Sequence, residues 1–129
     1  MSIEYKVVEK AQPGVAGGGV KKFYAQIANG KEATIDELVA EIEKFSALSE
    51  ADIHGVIISL ENVIQNKLAQ GRIVRLEKLG SLYTSISSTG EESEDKVSAN
   101  SIRKVGVNYR PGKRIIDAIK NAGFTKKSN

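Results

Sequence analysis

Seven apolar residues at helical spacing constrain this 129-residue chain more than any other feature: Ile53, Val56, Ile57, Leu60, Val63, Ile64 and Leu68. Ser49-Glu50-Ala51-Asp52 supplies a helix start before them, and Gly71 is placed to turn left-handed after the last turn. A shorter helix comes first. Thr34-Ile35-Asp36-Glu37 reads as a capping box, with Ile35, Leu38, Val39, Ile42 and Phe45 following on one face. Few residues separate the two segments, so they form a helical hairpin. The stripe on the longer helix is too wide and too long for one short neighbour. A partner chain is the natural cover for the rest.

The flanks of the hairpin change period. Ile3 to Val8 alternates as a strand, with Ile3, Tyr5 and Val7 on one face, and Lys21 to Ala28 alternates again through Phe23, Ala25 and Ile27. Between them lies a flexible connector, Pro13-Gly14-Val15-Ala16-Gly17-Gly18-Gly19, which lacks the Gly-Lys-Ser/Thr of a phosphate loop. Asn29-Gly30 is a turn signal. Residues 1–32 thus make a two-stranded β extension with a Gly-rich loop, too little to fold alone. After Gly71, Arg72 to Leu76 and Leu79 to Ser87 read as strands, Ser88 to Asn100 is polar and acidic, and Ser101 to Tyr109 alternates again. Arg110-Pro111-Gly112 stops that strand. A last helix, Lys113 to Ala122, buries Ile115, Ile116 and Ile119 and ends at Gly123. The class is α+β.

Composition excludes several chemistries. The chain has no cysteine, hence no disulfide scaffold, thiolate zinc site or cysteine nucleophile. One histidine, His54, does not make a metal site or a catalytic dyad, and it reads as a helix-surface or interface residue. No Ser/His/Asp or paired-carboxylate arrangement can be assembled, so the expectation is a non-enzyme with no cofactor, metal or small-molecule substrate. Neither a run of about 18 apolar residues nor an apolar stretch near the N-terminus is present, which points to a cytoplasmic protein with no membrane partner. The net charge of +3 conceals an asymmetry. Residues 1–95 hold 10 Lys/Arg against 15 Asp/Glu, whereas residues 96–129 hold 9 Lys/Arg against Asp117 alone. A basic quarter on an acidic body suits a polyanion, and charge alone equally suits a solvated basic tail.

From residue 33 onward the order of elements resembles the HU/IHF family of bacterial nucleoid proteins. Val74-x-Leu76-x-x-Leu79-Gly80-Ser81-Leu82 looks like the family's strand–turn–strand signature, and Tyr109-x-Pro111-Gly112-Lys113 like its lead-in to the C-terminal helix. Tyr5-Lys6-Val7 and Lys22-Phe23-Tyr24 are similar to the leading strands of the extended HU-like proteins of Bacteroidetes. The resemblance implies an IHF-like DNA-binding fold over residues 33–129, with a β-arm at about 86–102 behind the 1–32 extension. It also implies an intertwined homodimer that binds duplex DNA with little sequence specificity in the nucleoid, as an architectural or DNA-condensing protein.

One departure stands out. Family arms carry arginines and a proline wedge, but both prolines here (Pro13 and Pro111) lie outside the arm, whose tip holds Glu91, Glu92, Glu94 and Asp95. Carboxylates oppose phosphate binding, so the wedge is not carried over. The DNA-binding candidates are Arg72, Arg75, Lys96, Arg103, Lys104, Arg110, Lys113 and Arg114. Lys113 opens a helix, where backbone N–H groups also favour a phosphate. Arg103 and Lys104 point to opposite faces and Tyr83 toward the DNA side or solvent, and the resemblance implies that Tyr109 lies in the core. The alternative is an HU-fold dimer that serves as a protein-interaction or structural module, with little or no DNA binding because of that arm.

Overall fold

The computed structural model describes residues 2–28 and 30–128, so the Asn29-Gly30 turn signal falls partly outside the described residues. The chain divides into two units, Met1–Ala33 with Asp117–Asn129, and Thr34–Ile116.

In the larger unit, α1 (Ile35–Lys44) and α2 (Glu50–Ala69) form the expected hairpin. The Thr34 hydroxyl accepts from the Glu37 N–H, and at α2 both halves of a capping box close between Ser49 and Asp52. Gly71, at φ 76°, follows the last turn of α2 as the spacing predicts. Next come β3 (Val74–Arg75), β4 (Gly80–Ser88) and β5 (Ile102–Pro111), an antiparallel sheet in the order β3-β4-β5. α3 (Lys113–Ala122) follows, and the division between the units falls inside it.

The two sequence signatures meet in space. Gly80 pairs with Pro111, the Gly112 N–H donates to the Leu79 carbonyl at 3.3 Å, and the Tyr109 hydroxyl donates to that same carbonyl. A Cβ on Gly112 would strike the Lys78 carbonyl oxygen, and one on Gly80 the Arg110 carbonyl oxygen. Gly80 also sits at φ 124°, where a side chain is strained. Tyr109 therefore ties β5 to the start of β4 through its hydroxyl. It is 47% exposed, however, and not buried within one chain as expected.

The smaller unit differs from a two-stranded extension. β1 (Ile3–Lys10) pairs antiparallel with β2 (Lys22–Ile27), and on its other edge it pairs parallel with β6 (Phe124–Lys126). No alternation long enough to predict β6 exists in so short a segment. The glycine-rich connector is closed by Gln12, whose N–H donates to Gly18 O at 2.8 Å and whose side-chain amide donates to Val20 O at 2.7 Å. That polar clasp is why it is not the open connector its composition suggests.

Packing within the chain is sparse. Among the described residues only Val39 and Ile53 are buried hydrophobics, each 3% exposed. Val56, Leu60 and Val63 on α2 are exposed, as is Ile119, which the sequence places in the interior of α3. The chain exposes 10846 Å². A compact domain of its mass exposes about 6,700 Å², and even two separate compact bodies of that total mass about 8,000 Å². The expected stripe on α2 is present and only partly covered: Ile53 is buried and Ile57, Ile64 and Leu68 are half-buried, while Val56, Leu60 and Val63 stay exposed.

The close backbone approach yields the first prediction. Gly112→Ala should destabilise the protein by roughly 2–3 kcal/mol, read as a lower midpoint in urea unfolding at unchanged slope, because backbone must give way.

Candidate nucleic-acid interface

Register decides which cations share a surface. Arg75 pairs with Ser81 and Ser81 with Arg110, which makes one row across all three strands. Tyr83 pairs with Asn108 and Ser87 with Lys104 farther along the ribbon. Directly paired residues, and those two apart, project to one side. Arg75, Ser81, Tyr83, Ser85, Ser87, Lys104, Asn108 and Arg110 therefore line one face, and no carboxylate interrupts it.

The opposite side carries Leu82, Thr84, Ile86, Val105, Val107 and Tyr109. The Thr84 hydroxyl donates to the Leu68 carbonyl at the end of α2, 3.3 Å away, so this apolar side is the one turned to the helix. The basic side faces away from α2. On it a recess of about 250 Å³ is lined by Ile73, Arg75, Ser81, Tyr83 and Arg110. Two guanidinium groups flank a hydroxyl there, a set of donors without an acceptor charge. Chemically, that suits a phosphate oxygen.

The remaining candidates lie elsewhere, and all eight are exposed. Arg103 is next to Lys104 on the opposite side of β5, close to the register shift at Ser87/Ser88. Arg72 lies in the loop after α2, where its N–H donates to Lys67 O at 3.1 Å. Lys96 is paired with Glu92 at 3.2 Å. Lys113 and Arg114 are the first two residues of α3, directly after Gly112. The basic face thus gathers Arg75, Lys104 and Arg110 and leaves the other five outside it. Tyr83 joins that face, as its alternation with Leu82 implies. Sequence reasoning passed over Ser81, whose place between two arginines follows only from cross-strand pairing.

The segment beyond the ribbon is not a long free arm. β4 and β5 stop pairing at Ser88 and Ile102, and residues 89–101 contain two short 3-10 turns. The Glu91 carboxylate accepts from the Thr89 hydroxyl at 3.0 Å and from the Ser101 hydroxyl at 3.1 Å, and Ser101 is buried. The Ser93 side chain and its own backbone N–H hold the Asp95 carboxyl below the usual carboxylate range. The tip is therefore a folded, anionic cap. Its serines and acids gave a solvated loop in the sequence, since the clasp joins residues ten apart.

Among the described residues no group of three or more His, Cys, Asp or Glu could hold a metal ion, and no helix is long and apolar enough to cross a membrane. His54 is half-buried on α2.

A helical hairpin packed on a three-stranded ribbon, with a glycine crossing into a final helix, defines an HU-like α+β fold. The sequence matches the family HU-HIG, described as an HU domain fused to wHTH, Ig, or glycine-rich motif, over residues 1–126. The chain belongs to that family. No curated protein matches it. Among solved structures it is similar to a proposed bacterial DNA-binding protein from Bacteroides vulgatus ATCC 8482, with a TM-score of 0.67 and 14% identity. That match covers 98% of this chain and 50% of the other, so this chain spans half the length of its neighbour. At such identity the likeness is one of fold.

The cap can be tested. Glu91→Ala leaves the buried Ser101 hydroxyl without its acceptor and should cost about 1 kcal/mol. It should also speed proteolytic cleavage within residues 89–101 while cleavage elsewhere keeps its rate.

Proposed function

We propose that this protein is a non-catalytic DNA-binding protein of architectural type, which acts as a homodimer and contacts duplex phosphates with little sequence preference. The observation that carries the reading is the in-register row Arg75–Ser81–Arg110, extended by Lys104 on a face free of carboxylates. Arginine forks and a hydroxyl recognise phosphate oxygens whatever the base, which gives affinity and orientation but no sequence code. Lys113 and Arg114 open a helix, and the partial positive charge of its N-terminus adds to theirs. Arg72, Lys96 and Arg103 lie off the face and contribute at most to the surrounding field. Nothing in the reading needs a cofactor, a metal or a small substrate. The protein would work in the nucleoid.

Exposed apolar surface supports the homodimer. Val63 is 52% exposed on α2 and Val105 is 74% exposed on the apolar side of β5. Exposed apolar surface on that scale marks an interface. A second copy covers like with like, because a two-fold interface presents the same patch twice.

The folded cap supports a division of labour. Glu91, Glu92, Glu94 and Asp95 would repel phosphates, so contact belongs to the ribbon face and not to a wedge at the tip.

A salt titration with a labelled random-sequence duplex tests the reading. The affinity should fall steeply with salt, and Arg75→Gln/Arg110→Gln should reduce the slope of log affinity against log salt by about 2. Absence of a complex at low salt would sink it. Light scattering should give twice the chain mass at micromolar concentration, and a stable folded monomer would contradict the dimer.

A further inference from the structure

The sheet of the smaller unit has two unlike sides. Ile3, Tyr5, Val7, Phe23, Ala25, Ile27 and Phe124 share one side, with Glu9 and Lys126 at its ends. The other carries Lys6, Lys10, Lys22 and Lys127 around Tyr24, Gln26 and Thr125, with Glu4 as its one carboxylate.

The lysines are arranged in pairs. Lys10 stands directly opposite Lys22 in the β1–β2 ladder. Tyr5 pairs with Lys126, and the Lys127 N–H donates to the Tyr5 carbonyl at 2.8 Å, so the parallel register brings Lys127 beside Lys6. Like charges directly opposite on one sheet face destabilise it. Among the described residues, none of these four lysines makes an ion pair. The Lys10 ammonium lies 5.7 Å from the centre of the Tyr24 ring, which orients it without neutralising it. Beside the other pair, a recess of about 480 Å³ at the edge of the sheet is lined by Lys6, Lys127 and Ser128, and by Val7 and Lys126 from the apolar side. Lys10 is four residue steps from Lys6, about 13 Å along an extended strand. That is close to the width of the major groove, about 12 Å. Two cation pairs at this spacing, neither engaged in an ion pair among the described residues, suit two phosphate rows of a duplex.

We propose that this lysine side is a second DNA-contacting surface, which takes backbone phosphates through Lys6, Lys10, Lys22 and Lys127. The proposal rests on the DNA-binding reading above and adds to it a surface in the other unit, built from β1, β2 and β6. Compact ammonium groups contact phosphate as point charges, so the contact carries no base preference.

Fluorescence anisotropy with a random-sequence duplex over a series of salt concentrations tests it on the full chain. K6Q/K10Q/K22Q/K127Q should lower the slope of log affinity against log salt by about 2–4 and weaken binding about tenfold or more at physiological salt. The same four positions changed to arginine should keep wild-type slope and affinity. Because neutralisation relieves two like-charge pairs, the glutamine variant should melt no lower than the wild type. If it fails to fold, K6Q/K127Q and K10Q/K22Q made separately should each show about half the slope change. Wild-type slope in folded glutamine variants overturns the proposal and leaves the ribbon face standing, provided Arg75→Gln/Arg110→Gln still weakens binding. Equal loss in the arginine set also overturns it, since charge would not be what the surface supplies. A wild-type chain that binds no duplex at low salt defeats the primary reading instead.

Discussion

The carbonyl of Leu79 accepts from the Gly112 N–H and the Tyr109 hydroxyl, and the register of the ribbon depends on that junction. It joins the residue before β4 to the residue after β5 at a point where two glycines let backbones approach closer than any side chain allows. A slip of one residue would turn every side chain of the ribbon to its other face. Arg110 and Lys104 would then point toward α2, and Val105 and Val107 away from it. The glycine crossing therefore specifies more than stability. It sorts charge to one side and hydrocarbon to the other.

That sorting leaves much apolar surface exposed. Two buried hydrophobic residues cannot offset the entropy of ordering more than a hundred others. The proposed dimer would draw on the apolar sides of α2 and the ribbon.

Much of the fold was legible because its signals are local. Caps at Thr34 and Ser49, helical spacing up to Leu68 and alternation from Val105 to Tyr109 each lie within a few residues. Non-local pairing was not legible. β6 is three residues long and finds its partner β1 near the other end of the chain, so neither length nor period announced it. The same holds for sites. Arg75 and Arg110 were candidates by residue type, but the row that unites them with Ser81 is a property of register. The Glu91 clasp and the Lys10–Lys22 pair likewise join residues ten or more apart.

The parallel pairing of Ile3 with Phe124 carries a consequence for synthesis. The helical hairpin and the ribbon can close their pairings while the chain is still being made, because both members of each lie between residues 34 and 112. The small sheet has no such freedom: β1 emerges well before β6 and must wait for it. High sequence separation makes this the slow closure of the fold. Until translation has passed Lys126, the β6 edge of β1 stays open, so a chain broken off early exposes a strand edge that the finished protein covers.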